Sequence, residues 1–84
     1  MARGGAGKSK GFQDERYRAL IELLVARRKE LGLSQAKLAE RIGNHQQFVG
    51  RYETGERRLD VIEFADIARA LDLDPPQVLG TFIN

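Results

Sequence analysis

The stretch ARGGAGKS, Ala2 to Ser9, fits a permissive form of the loop that cradles phosphates, in which Gly or Ala, four residues and Gly-Lys-Ser/Thr follow in order. Such a loop works when a strand delivers the turn to a helix N-terminus, where backbone amides and the helix dipole grip the anion. No strand can be read ahead of Ala2, and Lys8-Ser9 runs on into Lys10-Gly11 instead of an apolar-faced helix. Nor does any later strand end in an acid that could hold magnesium, so a nucleotide site is not expected. The sequence has one histidine, His45, and no cysteine, which excludes a disulfide framework and a cysteine-based zinc site. With no second histidine and no acid beside it, His45 is not a catalytic base. No catalytic residue, metal or cofactor is expected. With no catalytic or metal chemistry legible, the carboxamides and guanidiniums are left as directional hydrogen-bonding groups. A carboxamide offers one donor and one acceptor, matching adenine N6 and N7, and a guanidinium can fork onto guanine O6 and N7.

Length and charge narrow what such groups can serve. Eighty-four residues make one domain, and a chain of this size buries roughly 60% of the surface it exposes when unfolded. With 42% apolar and 31% charged residues the composition is globular. Residues 1–58 carry 13 Lys/Arg against 7 Asp/Glu, a formal +6, and residues 59–84 carry 1 against 5, a formal −4. A field sided in this way orients a molecule on a polyanion. The longest apolar run, LIELLVA, is short and broken by Glu22. Neither a membrane span nor a secretory leader is read, and a cytoplasmic location is expected.

These side chains need elements to position them. Residues 1–11 hold four glycines, no acid, and Arg3, Lys8 and Lys10, so a flexible basic Gly-rich tail is expected before a domain over 12–84. Tyr17, Leu20, Ile21, Leu24 and Leu31 repeat as one face of an amphipathic helix that Gly32 ends. Ser34 is an N-cap for a second helix with Leu38, Ala39 and Ile42 inward, closed by Gly43. A third helix turns Val49 and Tyr52 inward and stops at Gly55. Asp60 and Glu63 form a capping box for a fourth, whose apolar face is Val61, Phe64, Ala65, Ala68 and Leu71. Asp74-Pro75-Pro76-Gln77 opens a fifth. The class is all-α, with five helices.

Ser34 to Gly55 reads SQAKLAERIGNHQQFVGRYETG. Two short helices joined by a tight glycine turn are what a helix-turn-helix requires. Ala39 is small enough for a close crossing, Gly43 turns the chain, and Leu38, Ile42, Val49 and Tyr52 fill the angle between the helices. The chain resembles the phage repressor and Cro-type (XRE family) DNA-binding domains over about Tyr17 to Asp74, most clearly in GLSQAKLAERIG and RYETGERR. The resemblance implies a five-helix lambda-repressor-like domain that binds double-stranded operator DNA as a two-fold dimer.

It also implies roles. Gln35 would bond a phosphate and brace the next helix. Gln46 and Gln47 would enter the major groove with Arg51 one turn further on, and Gly50 would let the helix approach closely. Arg28 and Glu53 would form a partly buried ion pair locking helix one to helix three. Arg57 and Arg58, with Lys37 on helix two, would contact phosphates, which position a protein without reading sequence. The 1–11 tail either adds minor-groove contacts, as basic arms do, or is idle.

Asn44-His45 departs from the family's usual apolar residue followed by Ser or Thr. Asn44 is expected as the N-cap of the third helix with Gln47 completing a box, which would leave Gln46 freer to read a base. His45 is expected beside a phosphate or a thymine methyl. Phe48 either packs over helix two or touches a thymine methyl. Val78, Leu79, Phe82 and Ile83 make the last helix more apolar than a monomer needs, so part should cover the core and part should pair with a second copy. The expected function is a sequence-specific DNA-binding transcriptional regulator, a repressor, that binds a palindromic operator as a homodimer. The second reading is a protein-interaction module, such as an antitoxin, that neutralises a partner protein.

Overall fold

The computed structural model describes residues 14–83. Five helices follow one another there: α1 (Glu15–Glu30), α2 (Gln35–Ile42), α3 (Gln46–Thr54), α4 (Val61–Ala70) and α5 (Pro75–Ile83). No strand occurs among the described residues, in keeping with the all-α class. The 1–11 tail, with its phosphate-loop look-alike, lies outside them.

Three of these helices start on a side chain that satisfies an amide the helix leaves unbonded. Asp14 Oδ1 accepts from the Arg16 N–H at 2.8 Å, and Ser34 Oγ from the Lys37 N–H at 3.0 Å. Asp60 and Glu63 close a reciprocal box, with the Glu63 N–H on Asp60 Oδ1 at 2.7 Å and the Asp60 N–H on Glu63 Oε1 at 3.0 Å. α3 corrects the expectation at its own start. Its N-cap is His45, whose side chain bonds no helix amide, while Asn44 Oδ1 accepts the His45 N–H at 2.7 Å. Asn44 therefore lies one residue too early to cap, and the box with Gln47 does not form.

The ends of α1, α2 and α4 share one device. The chain steps through the left-handed region and its next two amides fold back onto the last turn. In α1 the Gly32 and Leu33 amides reach the carbonyls of Lys29 and Arg28, at 2.9 and 3.0 Å. In α4 the Asp72 and Leu73 amides reach those of Arg69 and Ala68, at 3.0 and 2.9 Å. Gly32 and Gly43 take φ of 72° and 67°, and Asp72 does the same work at φ 60° with a side chain.

Leu20, Ile21 and Leu24 of α1, Leu38 and Ala39 of α2, and Val49 and Tyr52 of α3 form the core. Phe64, Ile67 and Ala68 of α4, Leu71 just beyond it, and Val78 of α5 complete it. Val61, expected on the inner face of α4, is instead 72% exposed, because it opens the helix one turn before that face meets the core. Ile67 is fully buried there. α3 packs on α2 and α1, α4 on α2 and α5, and α5 returns to α1. That places α3 at the edge of the bundle with one side uncovered.

Candidate nucleic-acid interface

The angle between α2 and α3 follows from small residues and a short turn. Ala39 is 3% exposed where the helices cross, and the Asn44 N–H returns to the Ala39 carbonyl at 2.9 Å through Gly43. Leu38, Val49 and Tyr52 are fully buried in that angle, while Ile42 packs at its margin. α3 therefore has one available face.

Its far end is tied down by charge. Arg28 of α1 donates to both oxygens of Glu53, Nε at 2.7 Å and the second fork nitrogen at 3.1 Å, and its third nitrogen reaches the Leu33 carbonyl at 2.7 Å. Gln35 Nε2 adds a bond to Glu53 Oε1 at 2.9 Å. One carboxylate thus gathers α1, α2 and α3. The hydrogen bonds from Arg28 to Glu53 stabilise the guanidinium's charge and raise its pKa further, against the opposing effect of burial. A Cβ at Gly50 would meet Gln35 Oε1 at 3.6 Å, an ordinary contact. Gly50 therefore borders the Gln35 brace, and its missing side chain is turned towards α2.

At the other end of α3, Gln46 and Gln47 in the first turn and Arg51 one turn on are all exposed. With no box to hold it, Gln47 is not tied to the start of its helix. His45 is exposed beside them. Lys37 is also exposed, in a solvated 3.1 Å pair with Glu40. Such surface pairs contribute about 0–1 kcal/mol, so Lys37 can exchange partners readily.

Arg57 and Arg58 leave α3 side by side and differ in their company. Arg57 forks onto Glu63 at 2.8 and 2.9 Å and lies 4.9 Å above the centre of the Phe48 ring. Phe48 is half-buried, 5.7 Å from Tyr52. Arg58 stacks 4.6 Å above Tyr17, whose hydroxyl accepts the Leu59 N–H at 3.1 Å. Among the described residues Arg58 has no carboxylate partner. The sequence leaves Phe48 at a choice between packing over helix two and touching a thymine methyl; its contact with Tyr52 and the Arg57 cation above it are not foreseen there.

At the C-terminus Val78 is only 9% exposed, so the monomer's own core has used it. Leu79 and Phe82 are half-buried, and Ile83 is 60% exposed. With Tyr17 and Leu20 these three line an open groove of about 380 Å³ between α1 and α5, edged by Asp14, Arg16 and Arg58. No helix among the described residues is long and apolar enough to cross a membrane. No group of three His, Asp or Glu among them could hold a metal ion.

This arrangement, two short helices locked at a fixed angle with the second presenting amides and a guanidinium outward, is a helix-turn-helix. The helix-turn-helix family model HTH_3 matches residues 24–78, well over half of the chain. A solved structure of an XRE-family like protein from Pseudomonas syringae pv. tomato str. DC3000 is similar at 42% sequence identity and a TM-score of 0.81. That similarity covers 92% of this chain and 94% of that one. Among curated proteins no match is found. The chain belongs to the XRE-type helix-turn-helix family, a family of DNA-binding regulators.

Proposed function

We propose that the chain is a sequence-specific transcriptional repressor that binds a palindromic operator as a homodimer and acts by occupying it. The observation that carries this reading is the uncovered start of α3, where Gln46, Gln47 and Arg51 stand exposed on a helix held at both ends. In a major groove the glutamines suit adenine and the arginine suits guanine. Gln35, Lys37, His45 and Arg58 flank that helix and supply contacts to the phosphate backbone, which set register. Leu79, Phe82 and Ile83 pair with their copies across a two-fold axis. The paired recognition helices then stand about 34 Å apart, one turn of DNA. The excess of positive charge in residues 1–58 steers the protein to the duplex.

Selection of bound duplexes from a random pool, with sizing of the complex, tests the reading. An enriched inverted repeat bound by two copies is expected, with affinity falling steeply as salt rises. An unenriched pool, or one copy on an asymmetric site, would contradict it.

A further inference from the structure

We propose that the adjacent arginines leaving α3 have separate jobs: Arg58 neutralises a DNA phosphate, whereas Arg57 is a positioning residue that sets the pitch of α3. The inference rests on the DNA-binding reading above. It assigns Arg57 away from the phosphate contact that its place in RYETGERR suggests.

Arg57 is already paired within the protein, although its side chain is 45% exposed. Its fork holds both oxygens of Glu63, one of the same nitrogens reaches the Arg58 carbonyl at 3.0 Å, and its flat face covers Phe48. Glu63 is fixed in turn, because its Oε1 also takes the Asp60 N–H that starts α4. Turning Arg57 onto a phosphate would break two charge-assisted bonds and a cation–π contact. It would also leave the Glu63 carboxylate unbalanced beside a polyanion. With the pair intact, Arg57 presents almost no net charge to DNA.

What the pair does hold is Phe48. That residue follows Gln47 directly and precedes Arg51 by three, so its ring is on the helix that carries the base-reading side chains. The ring leans on buried Tyr52 and is covered by Arg57. A line of contacts therefore runs from the core through Tyr52, Phe48, Arg57 and Glu63 to the first turn of α4. The Arg28–Glu53 pair fixes the last turn of α3, and this line fixes its first half. Arg58, stacked on Tyr17 with its donors unclaimed by any described carboxylate, is the one left to meet the backbone.

The test is equilibrium binding of the full chain to its selected operator and to a scrambled duplex over a salt series. Arg58→Gln, Glu63→Gln and the Arg57→Gln/Glu63→Gln double variant are compared, each first shown to be folded at the assay temperature. Arg58→Gln should flatten the dependence of log K on log salt by about 0.9 for each phosphate no longer neutralised, and weaken both duplexes alike. Arg57→Gln made together with Glu63→Gln, which removes the neutral pair whole, should leave that slope unchanged and lower the operator-to-scrambled ratio about tenfold, the size of one mismatched base pair. Glu63→Gln, which uncovers the Arg57 charge, should steepen the slope and tighten binding to the scrambled duplex. A slope that flattens equally in the Arg57→Gln/Glu63→Gln double variant and in Arg58→Gln, with the ratio preserved, would overturn the proposal. If the wild-type chain binds no duplex, the DNA-binding reading fails. The strut is then decided by thermal unfolding of Arg57→Gln, Glu63→Gln and the double variant: non-additive shifts support it and additive shifts overturn it.

Discussion

Arg28 and Glu53, 25 residues apart, meet as a two-pronged ion pair at 2.7 and 3.1 Å, with side chains only 10% and 7% exposed. Neither element would be fixed by its neighbours in sequence alone. Together they tie the longest helix to the last turn of the one that faces outward, and Gln35 joins them from α2.

Removing one charge of this pair leaves the other uncompensated in a nearly dry site. Glu53→Gln is expected to lose about 3 kcal/mol, near the lower end for such a change because the amide oxygen still accepts a bond. For a domain of this size that is a fall of more than ~10 °C in the midpoint of thermal unfolding. An unchanged midpoint would show that the pair does not stabilise the fold.

Tyr52 presents the opposite case. Its ring is fully buried, yet its hydroxyl has no hydrogen-bond partner among the described residues. Burial pushes the phenol's pKa up, with the nearby Glu53 charge adding to the shift, so it remains neutral. A buried polar group left unpaired costs about 1–3 kcal/mol. Tyr52→Phe keeps the ring and should stabilise the protein by about 1 kcal/mol in urea unfolding. A loss of stability would reveal a partner for the hydroxyl.

Asp72 holds a left-handed φ of 60° where the ends of α1 and α2 use glycine. Glycine takes that conformation without a Cβ penalty, although it also gains freedom in the unfolded chain. The net expectation for Asp72→Gly is a gain of about 0.5 kcal/mol, read as a higher urea midpoint at unchanged slope. A lower midpoint would show that the aspartate side chain stabilises this turn.

These cases show how far the sequence is legible. Capping residues and glycines announce nearly every helix boundary, because each satisfies a backbone requirement that few residues can meet. The start of α3 misleads since Asn44 is a better cap than His45 by residue type, and only the fold-back of the Asn44 N–H onto Ala39 shows which residue stands at the boundary. Leu33 and Leu73 pack against the core directly after a left-handed residue, and an apolar residue following such a stop is a signal present in the sequence. Ile67 could have been found as well, one turn beyond Phe64 on the same face. The Arg57–Glu63–Phe48 line could not. Spacing does not reveal which of two adjacent arginines turns back onto its own chain.

Acid should loosen that line. The Arg57 guanidinium, helped by the Asp60 N–H, holds the Glu63 carboxyl below its usual value of 4.5. Asp14 is held well below the carboxylate range by Arg16. Carboxyls depressed in the folded state contribute stability that is present above their unfolded pKa and lost as pH falls through the folded one. Stability should therefore decline below about pH 4.5, and Glu63→Gln should make that decline shallower. Urea midpoints measured down to about pH 3 would show it; identical pH profiles for wild type and variant would refute it.

The central claim is that the first turns of α3 read base pairs. Its most direct measurement is binding-site selection repeated with Gln46→Ala and with Arg51→Ala. Each variant is predicted to lose its preference at one position in both half-sites, worth about 1–3 kcal/mol per contact, while the remaining positions stay as in the wild type. Selected sites unchanged by both substitutions would contradict the account.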